Sequence, residues 1–572
     1  MRVAVIGAGP SGLVTLKYLL EAHKFLDTKP IEAVLFESED SIGGTFAHRT
    51  YEDAELVSSK QLTTFSDFRP LPEDPDFLPV VRYLRYLADY CTHFDLWPHI
   101  KLSSKVVSIA KSSKGHTISW TSKDAAGKIT ATDSTFDAVA VCSGLHVTPN
   151  MPKISGIENV PVVLHSSEFK TKSQFGVDKT VLILGTGETG MDVAYMAVNS
   201  PTKRVLLSHR DGFLCAPKRV PDPVILPILG TKPSTSLNVP VDSSSASLFD
   251  TAYVHRRLRD HSLLWTYYDV FIKSTLWLVG GSKYGLGQFI GGISSNRYHA
   301  SKIFFNKSNL AMPYISAPYL QEHSSSLTQR IRSSLIQVPL PTPTRHIDLA
   351  PWPSHFTPSG AVIFTNNSRP EYTRLSTETI KPDIVILATG YTQTFPFLSS
   401  PYHTPINTPL TRSIYPASDP TIGFIGFVRP SFGAIPPLAE LQAQLWISRL
   451  VCPNPKELKA EDEEHYKLKH PKGSRITYGV DHESYAYQMA LDMDAAPSFG
   501  EVVRAGWRVG QVVRVLGVWA LGANFNVKFR LRGPWKWDGA VGGMLGLWET
   551  VERRGGFFGL VTLNPLLTLI GL

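Results

Sequence analysis

Two short glycine-rich segments, each placed directly after a run of apolar residues, constrain the fold of this 572-residue chain more than any other feature. The first is Gly7-Ala8-Gly9-Pro10-Ser11-Gly12 after residues 3–6, and the second is Gly185-Thr186-Gly187-Glu188-Thr189-Gly190 after residues 181–184. A helix-compatible stretch follows each segment. In this context the three glycines permit a tight turn, a close approach to a pyrophosphate, and close packing of helix on strand. The pattern predicts two parallel α/β units, each binding a dinucleotide at a helix N-terminus.

The residues that end the second strand of each unit distinguish the two nucleotides. In the first unit this residue is Glu37, about 25 residues after Gly12, and a carboxylate there accepts hydrogen bonds from ribose hydroxyls. In the second unit Ser208 and Arg210 follow Gly190 by about 20 residues, and a hydroxyl and a guanidinium suit a 2′-phosphate. We therefore predict FAD at the first site and NADPH at the second. A chain that binds both is expected to be a flavoprotein oxidoreductase.

Further segments along the chain carry a family resemblance. They are Gly43-Gly44-Thr45-Phe46, Ser59-Lys60 followed by Phe65-Ser66-Asp67-Phe68, Cys142-Ser143-Gly144, Ala388-Thr389-Gly390-Tyr391, and Pro437-Leu438-Ala439-Glu440-Leu441-Gln442-Ala443. Together with the two glycine-rich turns, they resemble the flavin-containing monooxygenases, the class B flavoprotein monooxygenases, over residues 1 to about 450. The long insert and the C-terminal extension look most like fungal members. The resemblance implies that Gly44, Thr45, Lys60, Asp67, Thr389, Gly390 and Gln442 join Gly7, Gly9, Pro10, Ser11, Gly12, Glu37, Gly185, Gly187, Glu188, Thr189, Gly190, Ser208 and Arg210 as cofactor-binding residues.

The resemblance also implies an activity. NADPH would reduce FAD, and the reduced flavin would take up dioxygen as a hydroperoxide. The hydroperoxide would oxygenate a nucleophilic nitrogen or sulfur of a lipophilic small molecule, and the expected role is in secondary metabolism. The chemistry belongs to the cofactor, so no catalytic side chain and no metal is assigned. Baeyer–Villiger oxygenation of a ketone, an NADPH oxidase that releases hydrogen peroxide, and a membrane-associated flavin-binding scaffold remain alternatives.

Two positions depart from the family pattern. The identifying stretch aligns on His165 and Phe169, but Asn159 and Pro161 stand where the family has phenylalanine and glycine. Val57 stands where many members have an asparagine near the reactive flavin position, and valine cannot donate a hydrogen bond. Retained NADP⁺, which would shield the oxygenated flavin, would then have to contribute more to its stabilisation. His165, at the junction of the two domains, is expected to be a hydrogen-bonded hinge.

The predicted fold is α/β, with two Rossmann-like dinucleotide-binding domains and a C-terminal extension. The FAD domain is predicted at residues 1–170 and 335–450, and the NADPH domain is inserted between them at 171–334. Within the NADPH domain, residues from about 217 to 305 form an insert, and residues 451–572 form the extension. We expect Asn306-Lys307-Ser308 to form a solvated loop, and the alternative is that these residues supply polar groups near the site. The apolar content of 43% and charged content of 19% are typical of globular proteins.

Composition excludes several other classes of protein. The net charge of +8 suits anionic dinucleotides. The sequence shows no dense stripe of basic residues of the kind that is typical of nucleic-acid-binding proteins. The four cysteines lie far apart, which argues against a disulfide framework, a zinc site and a disulfide reductase.

The two ends of the chain bear on its location. A first strand that begins at Arg2 leaves no room for a signal peptide, which predicts a cytoplasmic protein, with or without association with an intracellular membrane. The apolar run at 557–572 is shorter than the roughly 20 residues needed to span a bilayer. Beside the tryptophans and arginines of the extension, this run predicts either peripheral membrane contact or a tail that packs on the body of the protein or joins a dimer interface.

Overall fold

The computed structural model describes residues 1–123, 127–210, 212–213, 215–219, 239–244, 306–315, 345–398, 401–402, 404–406, 408–431, 433–453, 456–468, 470, 475–522 and 524–555. Most of the predicted insert and the terminal apolar run lie outside the described residues. Its strands are β1 (Arg2–Ile6), β2 (Glu32–Phe36), β3 (Ile100–Lys101), β4 (Ser104–Ser112), β5 (Gly115–Lys123), β6 (Ile129–Phe136), β7 (Ala138–Val141), β8 (Thr148–Pro149), β9 (Val162–His165), β10 (Thr180–Leu184), β11 (Arg204–Ser208), β12 (Asp348–Ala350), β13 (Pro353–Phe356), β14 (Val362–Phe364), β15 (Ile384–Leu387), β16 (Tyr391–Thr392), β17 (Ile422–Phe424), β18 (Arg429–Pro430) and β19 (Gly479–Val480). Its α-helices are α1 (Pro10–Phe25), α2 (Thr45–His48), α3 (Lys60–Thr63), α4 (Val80–His93), α5 (Glu188–Val198), α6 (Val241–Ser244), α7 (Pro370–Leu375), α8 (Ile435–Val451), α9 (His482–Asp492), α10 (Phe499–Arg508), α11 (Val512–Leu521) and α12 (Ala540–Leu545).

Two five-stranded parallel sheets form the framework, as the α/β prediction requires. The first has the strand order β17-β7-β1-β2-β3, and the second has the order β12-β11-β10-β15-β9. The central strands β1 and β10 are continuous apolar runs, because helices and loops cover both faces of such a sheet. Each central strand leads into one of the glycine-rich turns and then into α1 or α5.

The strands of the second sheet extend beyond the predicted 171–334 range at both ends. Strand β9 precedes this range, and strands β12 and β15 follow it. The chain therefore passes from the first sheet to the second between β7 and β9, and returns between β15 and β17. The segments at Cys142–Gly144 and Ala388–Gly390 lie at these crossings, so sheet membership follows the two crossover motifs rather than the boundaries at 170 and 335.

The C-terminal extension is built onto the first sheet's side of the molecule. Strand β19 pairs in parallel with β18, and Trp535 is buried with its ring edge against Tyr18 of α1, at 5.1 Å between centroids. Of the predicted outcomes for the extension, packing on the body therefore holds for β19 and Trp535. Among the described residues, no helix is both long enough and apolar enough to cross a membrane.

Candidate functional site

The first glycine-rich turn has the geometry of a phosphate cradle. Gly7 has φ +105°, and a Cβ there would lie 2.8 Å from the carbonyl oxygen of Cys142. A Cβ on Gly12 would lie 1.8 Å from the carbonyl oxygen of Gly7, so turn and helix can pack only if both residues are glycine. Gly9 differs, since the nearest atom to its Cβ position is Cα of Gly44, 3.9 Å away. Gly9 therefore leaves the space in which a pyrophosphate could approach backbone.

The N-terminus of helix α1 lacks the side-chain cap that helices commonly have. Gly9 is the N-cap and Pro10 the first helical residue, and no side chain caps the helix. Pro10 has no N–H and the Gly12 N–H donates to the Gly9 carbonyl oxygen at 3.0 Å, so the Ser11 N–H and the positive end of the helix dipole are what favour an anionic ligand here. Ser11 lies against Gly426, whose Cβ position is 2.3 Å from Ser11 Oγ.

Gly44 faces this turn and precedes Thr45, which begins α2.

Glu37 follows β2 and is 7% exposed. Its Oε2 accepts from the Ala8 N–H at 2.6 Å, and its Oε1 accepts from the Glu39 N–H at 3.0 Å and from the Ser38 hydroxyl at 3.1 Å. A carboxylate has about four acceptor positions, so one on Oε2 remains for a ribose hydroxyl. Residues 8 and 38–39 thus orient the carboxylate at the end of the strand.

The second turn repeats this arrangement. Gly185 has φ +115°, and a Cβ on Gly190 would lie 2.0 Å from the carbonyl oxygen of Gly185. The Cβ position of Gly187 has no atom within 4 Å, and no side chain caps helix α5, which begins at Glu188. Burial raises the pKa of Glu188, although Lys307 and Arg429 partly oppose this effect.

A tyrosine joins the second turn to the first sheet's part of the chain. Tyr51 donates to Asp192 of α5 at 2.7 Å, and Thr189 also hydrogen-bonds to Tyr51. This contact holds the start of α5 against the segment that follows α2.

Ser208 and Arg210 occupy very different surroundings. Ser208 is fully buried, and its hydroxyl donates to the carbonyl oxygen of Pro351 at 2.8 Å. We therefore no longer propose Ser208 as a direct ligand of a 2′-phosphate. Arg210 is exposed, and its guanidinium stacks on the ring of Trp352 at 4.9 Å. Stacking leaves the edge of the guanidinium available to an anion.

The crossover at Thr389–Gly390 is tied to the other crossover through Asn150. The Thr389 hydroxyl donates to the Asn150 carbonyl at 2.6 Å, and the Asn150 N–H donates to the Gly390 carbonyl at 2.9 Å. The Gly390 carbonyl also accepts from His165 Nε2 at 3.0 Å, while His165 Nδ1 accepts from the Ser167 N–H at 3.1 Å. Both ring nitrogens of His165 are thus engaged, in agreement with a hydrogen-bonded hinge.

Two other predicted cofactor residues have side chains that the protein itself engages. The Lys60 ammonium donates to the carbonyl oxygens of Leu71, Pro72 and Asp74, which accounts for its three protons. Gln442 accepts from the Gly426 N–H at 2.8 Å and donates to the Tyr485 hydroxyl at 2.8 Å. Gln442 therefore positions Gly426 beside the first turn, and Lys60 holds a loop. We propose neither side chain as a direct cofactor ligand.

Asp67 belongs to a buried ionic cluster rather than to the first turn. Its Oδ2 accepts from Lys17 Nζ at 2.7 Å and from Arg530 Nη1 at 3.0 Å. Burial alone would raise the pKa of Asp67, but Lys17 and Arg530 outweigh this and lower it to about 2. Glu440 of α8 completes the cluster, with an oxygen 3.5 Å from Arg530. Asp67 therefore anchors the C-terminal extension, and we do not propose it as a cofactor ligand.

A second polar cluster lies at the edge of the predicted insert, beside the second turn. The expectation of a solvated loop at Asn306-Lys307-Ser308 was wrong, since these residues are 6%, 6% and 1% exposed. Lys307 Nζ lies 3.2 Å from Asp242 Oδ2 and 3.2 Å from Ser58 Oγ. Asn306 donates to the carbonyl oxygen of Thr186 in the second turn at 2.8 Å. The cluster therefore joins that turn to the segment that follows Val57.

Comparison with known proteins identifies the family. The model of the family described as flavin-binding monooxygenase-like matches residues 1–222 and 360–554. Monooxygenase cfoE from Aspergillus candidus is 52% identical over 570 residues, covering 99% of this chain and 96% of that protein.

Two solved structures share the fold at low identity. The S-allyl-L-cysteine S-oxygenase of Allium sativum has a TM-score of 0.52 at 17% identity, covering 90% of this chain and 92% of that one. The NADP⁺-bound cyclohexanone monooxygenase of Rhodococcus sp. Phi1 has a TM-score of 0.51 at 15% identity, covering 86% and 97%. Because the family model matches most of the chain, including the range that carries both glycine-rich turns, the chain belongs to the flavin-binding monooxygenase-like family and is an NADPH-dependent flavin monooxygenase.

Proposed function

We propose that this enzyme binds FAD at the first glycine-rich turn and NADPH at the second, and oxygenates a nucleophilic nitrogen or sulfur of a lipophilic small molecule. The observation that carries the proposal is the pair of uncapped helix N-termini, at Gly9 and Gly187, each at the end of its own parallel sheet and neither crowded at its Cβ position. When bound, the two cofactors supply the reducing equivalents and the activation of dioxygen.

The residues around these turns divide the work of holding the cofactors. Backbone at Gly7, Gly9, Pro10, Ser11, Gly12, Gly44 and Thr45 would receive the pyrophosphate of FAD, and Glu37 its ribose. Backbone at Gly185, Gly187, Glu188, Thr189 and Gly190 would receive the pyrophosphate of NADPH, and Arg210 its 2′-phosphate. Thr389 and Gly390 hold the crossover between the two sites through Asn150.

The choice between nitrogen or sulfur oxygenation and Baeyer–Villiger chemistry rests on the chain's own residues. The two solved structures include an S-oxygenase and a cyclohexanone monooxygenase, and likeness at this identity concerns fold alone. Phe169 favours the first chemistry, because the Baeyer–Villiger relatives carry tryptophan at that end of the identifying stretch. Phe169 is fully buried against Phe175. The relative at 52% identity is a monooxygenase of Aspergillus candidus, in agreement with the resemblance to fungal members on which the proposed role in secondary metabolism rests.

Rapid mixing of the NADPH-reduced, FAD-loaded enzyme with dioxygen would test the proposal. A slow return of the oxidised-flavin spectrum, followed by N- or S-oxides from a panel of amines and thioethers, is the expected result. Esters from ketones would transfer the assignment to Baeyer–Villiger chemistry. Immediate reoxidation with one equivalent of hydrogen peroxide, unaltered by any member of the panel, would favour the oxidase.

We also propose peripheral membrane contact through helices α10 and α11 of a protein that otherwise resides in the cytoplasm. Trp507 and Val513 are 78% and 77% exposed, and Phe499 is 62% exposed. Arg508 and Arg514 are exposed beside them, which suits an anionic surface.

Sedimentation with vesicles of phosphatidylserine and phosphatidylcholine tests this contact. We expect the double variant Trp507→Ser, Val513→Ser to bind severalfold more weakly than the wild type. The control Val81→Ser, which alters an 80% exposed valine on α4, should leave binding unchanged. Equal binding by all three proteins would refute the contact.

A further inference from the structure

A buried acid from a distant part of the chain holds the loop that follows β11 and carries Arg210. This acid is Glu371, in the first turn of α7, and its Oε1 lies 2.9 Å from His209 Nε2. Glu371 is 4% exposed, and His209, which directly precedes Arg210, is 2% exposed. The fold has therefore placed an acid against the neighbour of the arginine that is expected to select the nucleotide.

Hydrogen bonding determines which nitrogen of His209 carries the ring proton. The Gly212 N–H donates to His209 Nδ1 at 2.9 Å, so Nδ1 is an acceptor and the proton lies on Nε2, which faces Glu371. Gly212 has φ +104°, a conformation that glycine adopts readily, and this lets the loop turn back onto the ring. The loop thus closes on one side of the imidazole, and Glu371 contacts the other side.

A second link joins Glu371 to the backbone of Arg210 itself. Asn367 Nδ2 lies 3.2 Å from Glu371 Oε1 and 3.5 Å from the carbonyl oxygen of Arg210. Arg369 donates to the same Oε1 at 2.8 Å. Burial alone would raise the pKa of Glu371, but hydrogen bonding to His209 and the charge of Arg369 outweigh this and lower the pKa to about 2. Glu371 is therefore ionised, which strengthens its contacts with these neighbours.

Helix α7 is itself attached to the second sheet, so the carboxylate has a firm support. Arg374 of α7 donates to a backbone carbonyl oxygen of β12 at 3.3 Å. The His209 N–H donates to another carbonyl oxygen of β12 at 2.9 Å. Trp352, on whose ring the Arg210 guanidinium stacks, comes two residues after the end of this strand. The acid, the loop and the stacking ring are therefore all held by one strand.

We propose that Glu371 is a positioning residue for nucleotide selection, which holds His209 and the backbone of Arg210 so that the guanidinium meets the 2′-phosphate of NADPH. A guanidinium binds a phosphate through directed hydrogen bonds, so the attraction depends on where its edge points. Stacking on Trp352 sets the plane of the guanidinium, and the contacts of Glu371 set the backbone from which it extends. This role rests on the proposed contact between Arg210 and the 2′-phosphate.

The charge of Glu371 has the opposite effect from its position. A carboxylate near a phosphate repels it, so removal of the charge alone would tighten the binding of NADP⁺. Removal of the contacts that hold the Arg210 loop would weaken the binding of NADP⁺ and leave that of NAD⁺ unaltered. The sign of the change in affinity therefore separates the two effects.

The test uses the full-length, FAD-loaded protein. Calorimetry measures the Kd of NADP⁺ and of NAD⁺, and anaerobic rapid mixing measures flavin reduction by NADPH and by NADH. Glu371→Leu removes both acceptor oxygens at similar volume, and Glu371→Gln keeps one of them. His209→Asn keeps an acceptor for the Gly212 N–H but has no counterpart of Nε2, and it decides the question if Glu371→Leu does not fold.

Glu378→Leu is the matched control for the loss of a negative charge. Glu378 pairs with Arg204 of β11 at 2.6 Å and has no contact with the described residues of the loop after that strand. The double variant Arg210→Gln, Glu371→Leu completes the set, because it shows whether Glu371 acts through Arg210.

We expect Glu371→Leu and His209→Asn each to raise the Kd of NADP⁺ about fivefold and to leave the Kd of NAD⁺ unchanged, because a displaced guanidinium keeps part of its attraction for a phosphate. Flavin reduction at low nucleotide concentration should slow for NADPH and not for NADH. Glu371→Gln and Glu378→Leu should both bind NADP⁺ nearly as the wild type does. In the Arg210→Gln background, Glu371→Leu should change the Kd of NADP⁺ by less than about twofold.

The contrary results differ in what they overturn. Tighter NADP⁺ binding by both Glu371 variants would replace the inference with a purely electrostatic effect. Equal loss of affinity for NADP⁺ and NAD⁺, or a loss that persists in the Arg210→Gln background, would assign Glu371 to the fold and overturn the inference. Unchanged NADP⁺ binding by Glu371→Leu and His209→Asn would do the same and leave the proposed function standing. If Arg210→Gln itself keeps the wild-type preference for NADP⁺, the proposed place of the 2′-phosphate fails, and the inference fails with it.

Discussion

Replacing Arg530 with methionine should destabilise the protein strongly, because Arg530 is the extension's contribution to the buried ionic cluster. The Arg530 side chain is 1% exposed, and it lies 3.0 Å from Asp67 Oδ2 and 3.5 Å from Glu440 Oε1. It also donates to the hydroxyl of Tyr18. Methionine fills a similar volume without charge. In this variant, Lys17 would be the remaining cation, among the described residues, that contacts Asp67.

The expected loss of unfolding free energy follows from the burial of this ion pair. Removing one partner of a buried ion pair costs about 3–5 kcal/mol, since the other charge is left without compensation. Arg532 offers a control in the same extension. It pairs with Glu501 at 3.2 Å, with side chains 41% and 30% exposed, and such surface pairs contribute about 0–1 kcal/mol. We therefore expect Arg530→Met to lose at least about 2 kcal/mol more unfolding free energy than Arg532→Met.

The pH dependence of this difference provides a second check. The pKa of Asp67 is about 2 in the folded protein, because Lys17 and Arg530 outweigh its burial, and is about 3.9 in an unfolded chain. Its contribution to stability is therefore complete above pH 4 and is lost as pH falls towards 2. Without Arg530 the folded pKa rises, so the difference between wild type and Arg530→Met should narrow as pH falls from about 5 to 2.

Urea unfolding, followed by tryptophan fluorescence across this pH range, measures both quantities. Equal urea midpoints for Arg530→Met and Arg532→Met would refute the cluster as an anchor of the extension. If the difference in unfolding free energy between wild type and Arg530→Met stays constant with pH, Asp67 is not the source of the destabilisation.

Three further predictions concern the cofactor sites. Gly12→Ala should prevent folding of the first turn, because the new Cβ would lie 1.8 Å from the Gly7 carbonyl oxygen, whereas Gly9→Ala should fold but lose FAD, as measured by circular dichroism and bound flavin. Arg210→Gln should lower kcat/KM for NADPH about tenfold or more and leave that for NADH nearly unchanged, since a charge-assisted bond to the 2′-phosphate is lost. Ser208→Ala should leave the NADPH-to-NADH preference unchanged and cost about 1 kcal/mol of stability, because its buried hydroxyl bonds a backbone carbonyl.

The variants of this group serve as controls for one another. Loss of NADPH preference in Ser208→Ala, or its retention in Arg210→Gln, would reverse the assignment of the two residues. Bound FAD in Gly9→Ala at the wild-type level would place the pyrophosphate elsewhere.

Local sequence signals predicted the framework well. Each apolar run forms a parallel strand, and the glycine-rich turn after it leads into a helix whose N-terminus no side chain caps. This holds for β1 with α1 and for β10 with α5. Glu37 stands at the predicted strand end. Such features depend on residues close in sequence, on the conformational freedom of glycine and on apolar periodicity, which are readable without tertiary information.

Side-chain roles were less predictable, because they depend on partners that are distant in the chain. Asp67 meets Arg530, 463 residues away, and Gln442 meets Tyr485, 43 residues away. Motif matching assigned both to the cofactor, but the C-terminal extension, which lies outside the motifs, engages them. Lys307 is likewise buried by Asp242 and Ser58, which no local pattern connects to it.

By itself the sequence determined that two glycine-rich turns follow two parallel strands and lead into helices, since apolar runs and glycines act over a few residues. The tertiary structure alone decided which polar side chains remain available to ligands. Ser208 and Arg210 are two residues apart, yet one bonds inside the fold and the other is exposed beside Trp352. The reason is that a side chain's availability depends on the segments folded against it, and long-range packing sets those segments.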